Sequence, residues 1–395
     1  MFSSRTNWNL HPNRLTQLLE QKRSLDEQIV DLTESNPTHC GFRYNSQKIL
    51  DSLAQVRSLQ YDPDPKGLLA AREAVCDYYG RKNVHLDPEQ IILTASTSEA
   101  YSFLFRLLCN PGDSVLIPQP SYPLFDYLCP LNDVRMSLYR LLYDGEWRID
   151  EDSFRHLISE QSKAIILVHP NNPTGSFVKR DEEKFMLQLA EEKNLGLIVD
   201  EVFSEYDFGI SNRRVDTFAS TRSVLTFTLG GISKLLGLPQ MKLSWIVVSG
   251  PSELRTKALK RLELIADTYL SVHAAIQHAL PELLKNHSSV TQQIRERTRS
   301  NFEALRSAVA SSPGVSFFRC EGGWNAILRL PSKRTDEEWC EFLLQSENAL
   351  FHPGHFYSLD VESCLVLSLL VEKNVFSDTI TRTIHLVTHE MAVNS

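Results

Sequence analysis

The sequence predicts an α/β fold: a large domain whose mostly parallel sheet lies between helices, joined to a smaller α+β domain built from the N-terminal arm and the C-terminal part. Three observations predict it. Short β-branched runs recur with helical stretches between them, unusual polar clusters follow those runs, and after about Glu253 the pattern gives way to long helices. The expected division is 1–45 for the arm, which forms part of the small domain, 46–280 for the large domain and 281–395 for the small C-terminal domain.

The elements follow in order. Residues 12–30, "PNRLTQLLEQKRSLDEQIV", space Leu15, Leu18, Leu19, Leu25 and Ile29 as a helix does, and the irregular "ESNPTHCGF" follows. A helix is expected from Leu68 to Tyr79, closed by Gly80, and another from Asp181 to Lys193. The apolar runs are "IIL" at 91–93, "VLI" at 115–117, "AIILV" at 164–168, "GLIV" at 196–199, "VLTF" at 224–227 and "WIVV" at 245–248. They barely alternate, as strands buried on both faces of a largely parallel sheet should. Long helices are then expected at Glu253–Ile265 and Ser289–Ser311, followed by a strand "WNAILRL" and a further α/β segment.

Composition narrows the partners. The 395 residues are 42% apolar and 23% charged, which is ordinary for a globular chain, and the net charge of −8 gives no electrostatic reason to expect nucleic acid or an anionic membrane. Seven scattered cysteines with no C-x-x-C pair read as reduced thiols and not as metal ligands. The start lacks a charged segment followed by an apolar one, and no run approaches 18 apolar residues. A cytoplasmic protein acting on small molecules, with no metal, is expected.

The informative clusters stand at the ends of the runs: "TASTSEA", "PQPSYP", "HPNNPTG", "DEVF" and "TLGGISK". In an open parallel sheet that rim binds ligands, because loops converge there and the following helices point N–H groups at the crevice. Thr97 and Ser98 precede a helix expected near Glu99, so their N–H groups and the Ser98 hydroxyl suit an anion, although Ser98 could equally be an N-cap. Tyr122, between two prolines, presents a ring for stacking or simply packs. Asp200 closes a buried run and needs a cation or several donors. Asn172 offers an amide to a ring oxygen, or a turn. Lys234 is an amine in an apolar, small-residue setting, where a free ammonium is disfavoured. A phosphate site, a stacking face, an acid for a ring nitrogen, a donor for a ring oxygen and an amine together describe pyridoxal 5'-phosphate held as a Schiff base on Lys234. Asp200 and Lys234 are the expected catalytic residues, with the freed lysine moving the α-proton.

The ordered set Tyr61, Gly67 and Arg72, then "LTASTSEA", "NPGDSVLIPQPSYP", "HPNNPTG", "IVDEVF" and "ISKLLGLPQMKLSWI", resembles the class I/II aminotransferases among the fold-type I pyridoxal phosphate enzymes. The resemblance implies a homodimer with active sites at the subunit interface, where Tyr61 reaches the partner's cofactor phosphate and the segment around Asp267 to Ser271 crosses over. It implies cofactor contacts from Thr97, Ser98, Tyr122, Asn172, Asp200, Phe203, Ser233, Lys234, Lys242 and Tyr61, and substrate contacts from Asn36, Asn325 and Arg329. The chain departs from the family pattern at four places. Lys242 stands where a phosphate-binding arginine is usual, Phe203 where a tyrosine donates to the ring oxygen, Gly231 where a hydroxyl residue is usual, and Val366 where an arginine clamps the substrate carboxylate. Arg329 and Arg43 are candidates to replace that clamp, and Asp267 could select a basic side chain.

The implied activity is a ping-pong transfer of an amino group between an amino acid or related amine and a 2-oxo acid. The missing arginine keeps a lyase or decarboxylase of the same fold as the alternative. An effector-binding module fused to a DNA-binding domain is disfavoured by the short arm and acidic chain. A nicotinamide enzyme would need a G-x-G-x-x-G after an early strand, and there is none.

Overall fold

The computed structural model describes residues 1–210, 212–285, 288–310 and 312–393. In chain order its strands are β1 (Val30–Asp31), β2 (Ile91–Thr94), β3 (Ser114–Gln119), β4 (Arg135–Tyr143), β5 (Trp147–Ile149), β6 (Ser162–Val168), β7 (Gly196–Asp200), β8 (Thr226–Gly231), β9 (Ser244–Ser249), β10 (Ser316–Phe317), β11 (Asn325–Arg329), β12 (Ala349–Leu350), β13 (His352–Pro353) and β14 (Cys364–Ser368). Eight form one sheet in the order β2-β9-β8-β7-β6-β3-β4-β5. Neighbours from β8 through β4 run parallel, whereas β9 runs antiparallel to both β2 and β8, and β5 returns antiparallel along β4.

Both faces of this sheet are covered, which is why its runs do not alternate. Ile117, Ile166, Ile198, Phe227 and Ile246 pack on one side against the helices Thr97–Leu108 and Ser252–Tyr269. Leu116, Ile165, Leu167 and Leu197 pack on the other against Arg180–Lys193. That helix stops at Asn194, whose left-handed backbone (φ 53°) turns the chain into β7. Trp245 and Val247 of β9 pack with the helices Leu69–Gly80 and Ala274–Lys285.

The C-terminal part holds a four-stranded antiparallel sheet, β10-β11-β14-β13. Its core includes Trp339, Phe351, Leu365 and Leu367, and Leu15 and Leu32 of the N-terminal arm enter the same core. The arm is tied down by β1, which pairs in parallel with β12.

Several expected elements shift. The first helix covers only Arg14–Ser24, capped by the Asn13 side chain, so Leu25 and Ile29 fall outside it and Val30 pairs as a strand instead. The run 224–227 becomes β8 at Thr226–Gly231, and the helix expected to end at Ile265 continues to Tyr269. The long helix spans Ser288–Val309, while Ser311 lies outside the described residues. The strands β4 and β5 were not foreseen. β4 is half-exposed and carries arginines and serine among its apolar residues, so neither a continuous apolar run nor clean alternation marks it.

Candidate active site

The rim carries the polar clusters in the spatial order of the strands. From one end these are Thr97 and Ser98 after β2, Lys242 before β9, Lys234 after β8, Asp200 at the end of β7, Asn172 after β6 and Tyr122 after β3. Because β9 is antiparallel, its start and not its end reaches this rim: Ser244 pairs with Thr94 on one side and Gly231 on the other. Lys242, two residues earlier, therefore sits between the two loops that carry Thr97 and Lys234.

The helix after β2 begins two residues earlier than expected. Its N-cap is Ser96, whose hydroxyl accepts from the Glu99 N–H, and Thr97 and Ser98 are its first residues. Ser98 is therefore not the cap. Among the described residues no acceptor takes the Thr97 or Ser98 N–H, so this twelve-residue helix keeps two free donors at its positive end.

Asp200 is buried without a cation in contact. One carboxylate oxygen accepts from the Val202 N–H at 3.1 Å and the other from the Tyr101 hydroxyl at 3.2 Å. Burial lifts its carboxyl to about 6, against the pull of those donors and the Lys234 charge. Lys234 lies in the short helix Ile232–Leu235, and burial lowers its ammonium pKa while Asp200 raises it. Its Nζ lies 5.0 Å from the Trp324 ring centroid and 5.7 Å from that of Phe203, with no hydrogen bond or ion pair among the described residues. The Tyr206 hydroxyl donates to the Lys234 carbonyl at 2.6 Å and holds that turn.

Asn172 keeps a buried Oδ1 with no partner. Its loop is anchored by neighbours: the Asn171 amide oxygen accepts from Thr174 Oγ1 at 2.9 Å, and Glu321 N donates to the Gly175 carbonyl at 3.2 Å. Tyr122 is exposed in the single chain, yet near enough to Asp200 that, after burial, this charge raises its phenol pKa. Gly231 has a steric reason: a Cβ there would lie 2.3 Å from Ser244 Oγ, so the Ser244 side chain fills the space a hydroxyl residue would need.

The other expected residues are scattered. Asn36 caps the turn Pro37–His39, its Oδ1 accepting from the Thr38 N–H at 3.1 Å and the Thr38 hydroxyl at 2.7 Å. Asn325 starts β11 beside Trp324 and pairs with Ser368. Arg329 sits at the opposite end of that strand and lines a separate cavity with Arg140 and Trp147. Val366 is buried among Trp147, Phe318, Ile327 and Tyr357, an apolar setting that would leave a guanidinium unpaired. Ser233 is half-buried beside Lys234, and Lys242 is exposed. Tyr61 is exposed with Leu59, in a loop that faces Leu270 and Ser271 across a cavity of about 350 Å³.

Sequence reasoning missed Tyr101, Tyr206 and Trp324. Tyr101 lies one helical turn past Thr97 and gave a usable signal, whereas Trp324 comes near Lys234 only because β11 is brought up to the rim.

The sequence model of the family described as "Aminotransferase class I and II" matches residues 27–375. The chain belongs to this family of pyridoxal phosphate-dependent aminotransferases. It is similar to the glutamate-pyruvate aminotransferase AlaA of Haemophilus influenzae, 26% identical over 335 residues that cover 82% of each chain. It is also similar to the S-alkyl-thiohydroximate lyase SUR1 of Arabidopsis thaliana, 27% identical over 85% of this chain and 74% of that protein. Among solved structures, an alanine aminotransferase from Pyrococcus furiosus superposes with a TM-score of 0.89 at 20% identity, covering 98% of this chain and all of that one (100%), and shares its fold.

The residues present fit pyridoxal phosphate. A buried carboxylate without a cation, an amine without a partner, an Asn172 amide whose Nδ2 can donate and two free helical N–H groups along one rim are what that group needs.

Proposed function

We propose that Lys234 carries the cofactor as a Schiff base and that transfer runs as two half-reactions, first with an amino acid or related amine and then with a 2-oxo acid. The observation that carries this reading is Lys234 itself: a half-buried amine with no protein partner among the described residues, flanked by two aromatic rings and acted on by the charge of a buried carboxylate. The aminotransferase relatives favour it over the lyase or decarboxylase alternative.

When bound, the cofactor supplies an electron sink for the bond broken at the substrate's α-carbon. The chain supplies the rest. Asp200 holds a proton on the ring nitrogen, and the Tyr101 hydroxyl and Val202 N–H keep its carboxylate oriented. The Thr97 and Ser98 N–H groups, with Ser233 and Lys242, bind the phosphate, Lys242 as a point charge and not as a fork. The Asn172 amide orients the ring oxygen, and Tyr122 covers one ring face. Lys234 would hold the group and its amine would move the substrate's α-proton; burial shifts that amine toward its neutral, proton-accepting form against the pull of Asp200. Phe203 and Trp324 exclude water from Nζ.

Exposed Leu59 and Tyr61 beside Leu270 support a homodimer in which Tyr61 serves the partner's phosphate site. The seven free cysteines, five of them buried, support a reducing, cytoplasmic setting. The division at 1–45, 46–280 and 281–395 remains our reading of the domains, supported by the entry of Leu15 and Leu32 into the C-terminal core.

The test is borohydride reduction of the cofactor-loaded protein followed by peptide mapping. A pyridoxyl adduct on Lys234 is expected. In Lys234→Ala the adduct should vanish and turnover should fall by about 10³-fold or more. An adduct elsewhere, or full activity in the variant, refutes the assignment.

A further inference from the structure

Arg329 is a cation without an established task. Its strand partner is Cys364, and its charge acts on the Cys364 thiol against burial, so the guanidinium stays on that face of the small sheet. Among the described residues it makes no ion pair. The cavity it lines is about 290 Å³, at the lower end of small-molecule sites, and has none of Lys234, Asp200, Asn172 or Tyr122 in its wall.

That wall comes from both lobes. Gln119, Arg140 and Trp147 belong to the large sheet, and Phe318, Arg329 and Leu359 to the C-terminal part. Trp147 and Phe318 are in contact with centroids 5.1 Å apart and planes tilted by 35°, and Tyr143 packs edge-on to Phe318 at 4.7 Å. Trp147 and Phe318 are largely covered and offer the cavity their ring edges, while Tyr143 is the most open ring of the three. Arg140 is bridged to Asp360 at 3.1 Å, which leaves Arg329 as the uncommitted charge. One free guanidinium and a cluster of aromatic walls suit a single carboxylate on a flat apolar body, and not a phosphate with two charges.

We infer that this cavity is a second ligand site, which takes a small aromatic carboxylate through Arg329 against Tyr143 and the edges of the Trp147 and Phe318 rings. The site lies on the same rim as the cofactor residues, past β3. Its wall residue Gln119 donates to the Ser358 carbonyl at 3.2 Å, and Ser121 N donates to the Tyr357 carbonyl at 3.0 Å, in the loop that continues to Tyr122. A bound ligand therefore braces the contact between the lobes next to the candidate stacking ring.

The experiment is calorimetric titration of cofactor-loaded protein with phenylacetate, with the cofactor absorbance recorded in parallel. Binding that leaves the absorbance unchanged is expected, weakened about tenfold or more in Arg329→Gln and partly recovered in Arg329→Lys. Tyr143→Ala, which removes the most open ring of the wall, should weaken it several-fold. Equal affinity in wild type and Arg329→Gln overturns the site. So does binding seen only together with an absorbance change, which would put the probe at Lys234. Neither result bears on the borohydride test.

Discussion

Asp200 shows how a residue we propose to serve the cofactor can destabilise the empty protein. Burial raises its carboxyl from 3.8 to about 6, so the folded chain holds the proton more tightly than the unfolded chain does. The sign follows. Below about pH 4 the group is protonated in both states and contributes no penalty; as pH rises through about 6 the folded state must ionise a buried acid and stability falls. In cofactor-free protein, Asp200→Asn should gain up to about 3 kcal/mol above pH 6 and nothing below pH 4, measured by denaturant unfolding across pH. The same variant should bind the cofactor more weakly. A stability difference independent of pH would contradict the argument. Phe203 makes a second residue-scale case. A tyrosine hydroxyl there would donate to the deprotonated ring oxygen, so Phe203→Tyr should lower the pKa of the Lys234 linkage by about one unit, read by spectral titration. An equal or lower value in wild type would argue against it.

At the scale of elements, the turn carrying Asn172 is held by close backbone approach. Gly175 has φ 69°, and a Cβ there would lie 2.2 Å from Cys320 Sγ and 2.4 Å from the Gly322 carbonyl. The same junction contains the Lys179–Glu321 ion pair at 2.8 Å, with both side chains buried, and Glu321 also accepts from the Phe177 N–H. Removing one partner of such a pair strands the other charge, so the clamp is strong as long as it is complete. Gly175→Ala should force this segment away from residues 320–323 and destabilise the fold by at least about 2 kcal/mol, with a lowered Tm and a larger proportional loss of activity. Unchanged stability would mean the two segments can part without consequence. At this scale the sequence was legible where burial is two-sided: β2, β3, β6 and β7 were found within a few residues. It was not legible for β4, whose exposed face breaks the pattern, nor for the direction of β9, since "WIVV" reads alike in parallel and antiparallel strands.

At the scale of the whole molecule, the exposed loop with Leu59 and Tyr61 and the facing Leu270 call for a partner surface. If Tyr61 serves the neighbouring subunit, Lys234→Ala and Tyr61→Ala proteins are each impaired, but a mixed dimer contains one intact site. Refolding the two together in equal amounts should restore about a quarter of wild-type activity on a statistical assortment. No recovery, with dimer formation verified by sedimentation, would confine Tyr61 to its own subunit.

By itself the sequence determined the α/β architecture, the rim of polar clusters, the cofactor and Lys234, Asp200, Asn172 and Tyr122 as its candidate ligands, because two-sided burial and turn chemistry are local properties written in short runs. Only the tertiary structure decided that Tyr101 orients Asp200, that Trp324 flanks Lys234, that Ser244 excludes a side chain at Gly231 and that Arg329 faces a cavity of its own. Each of those depends on residues far apart in the chain meeting across a strand pairing or a lobe contact, and distance in space is set by packing, not by position along the sequence.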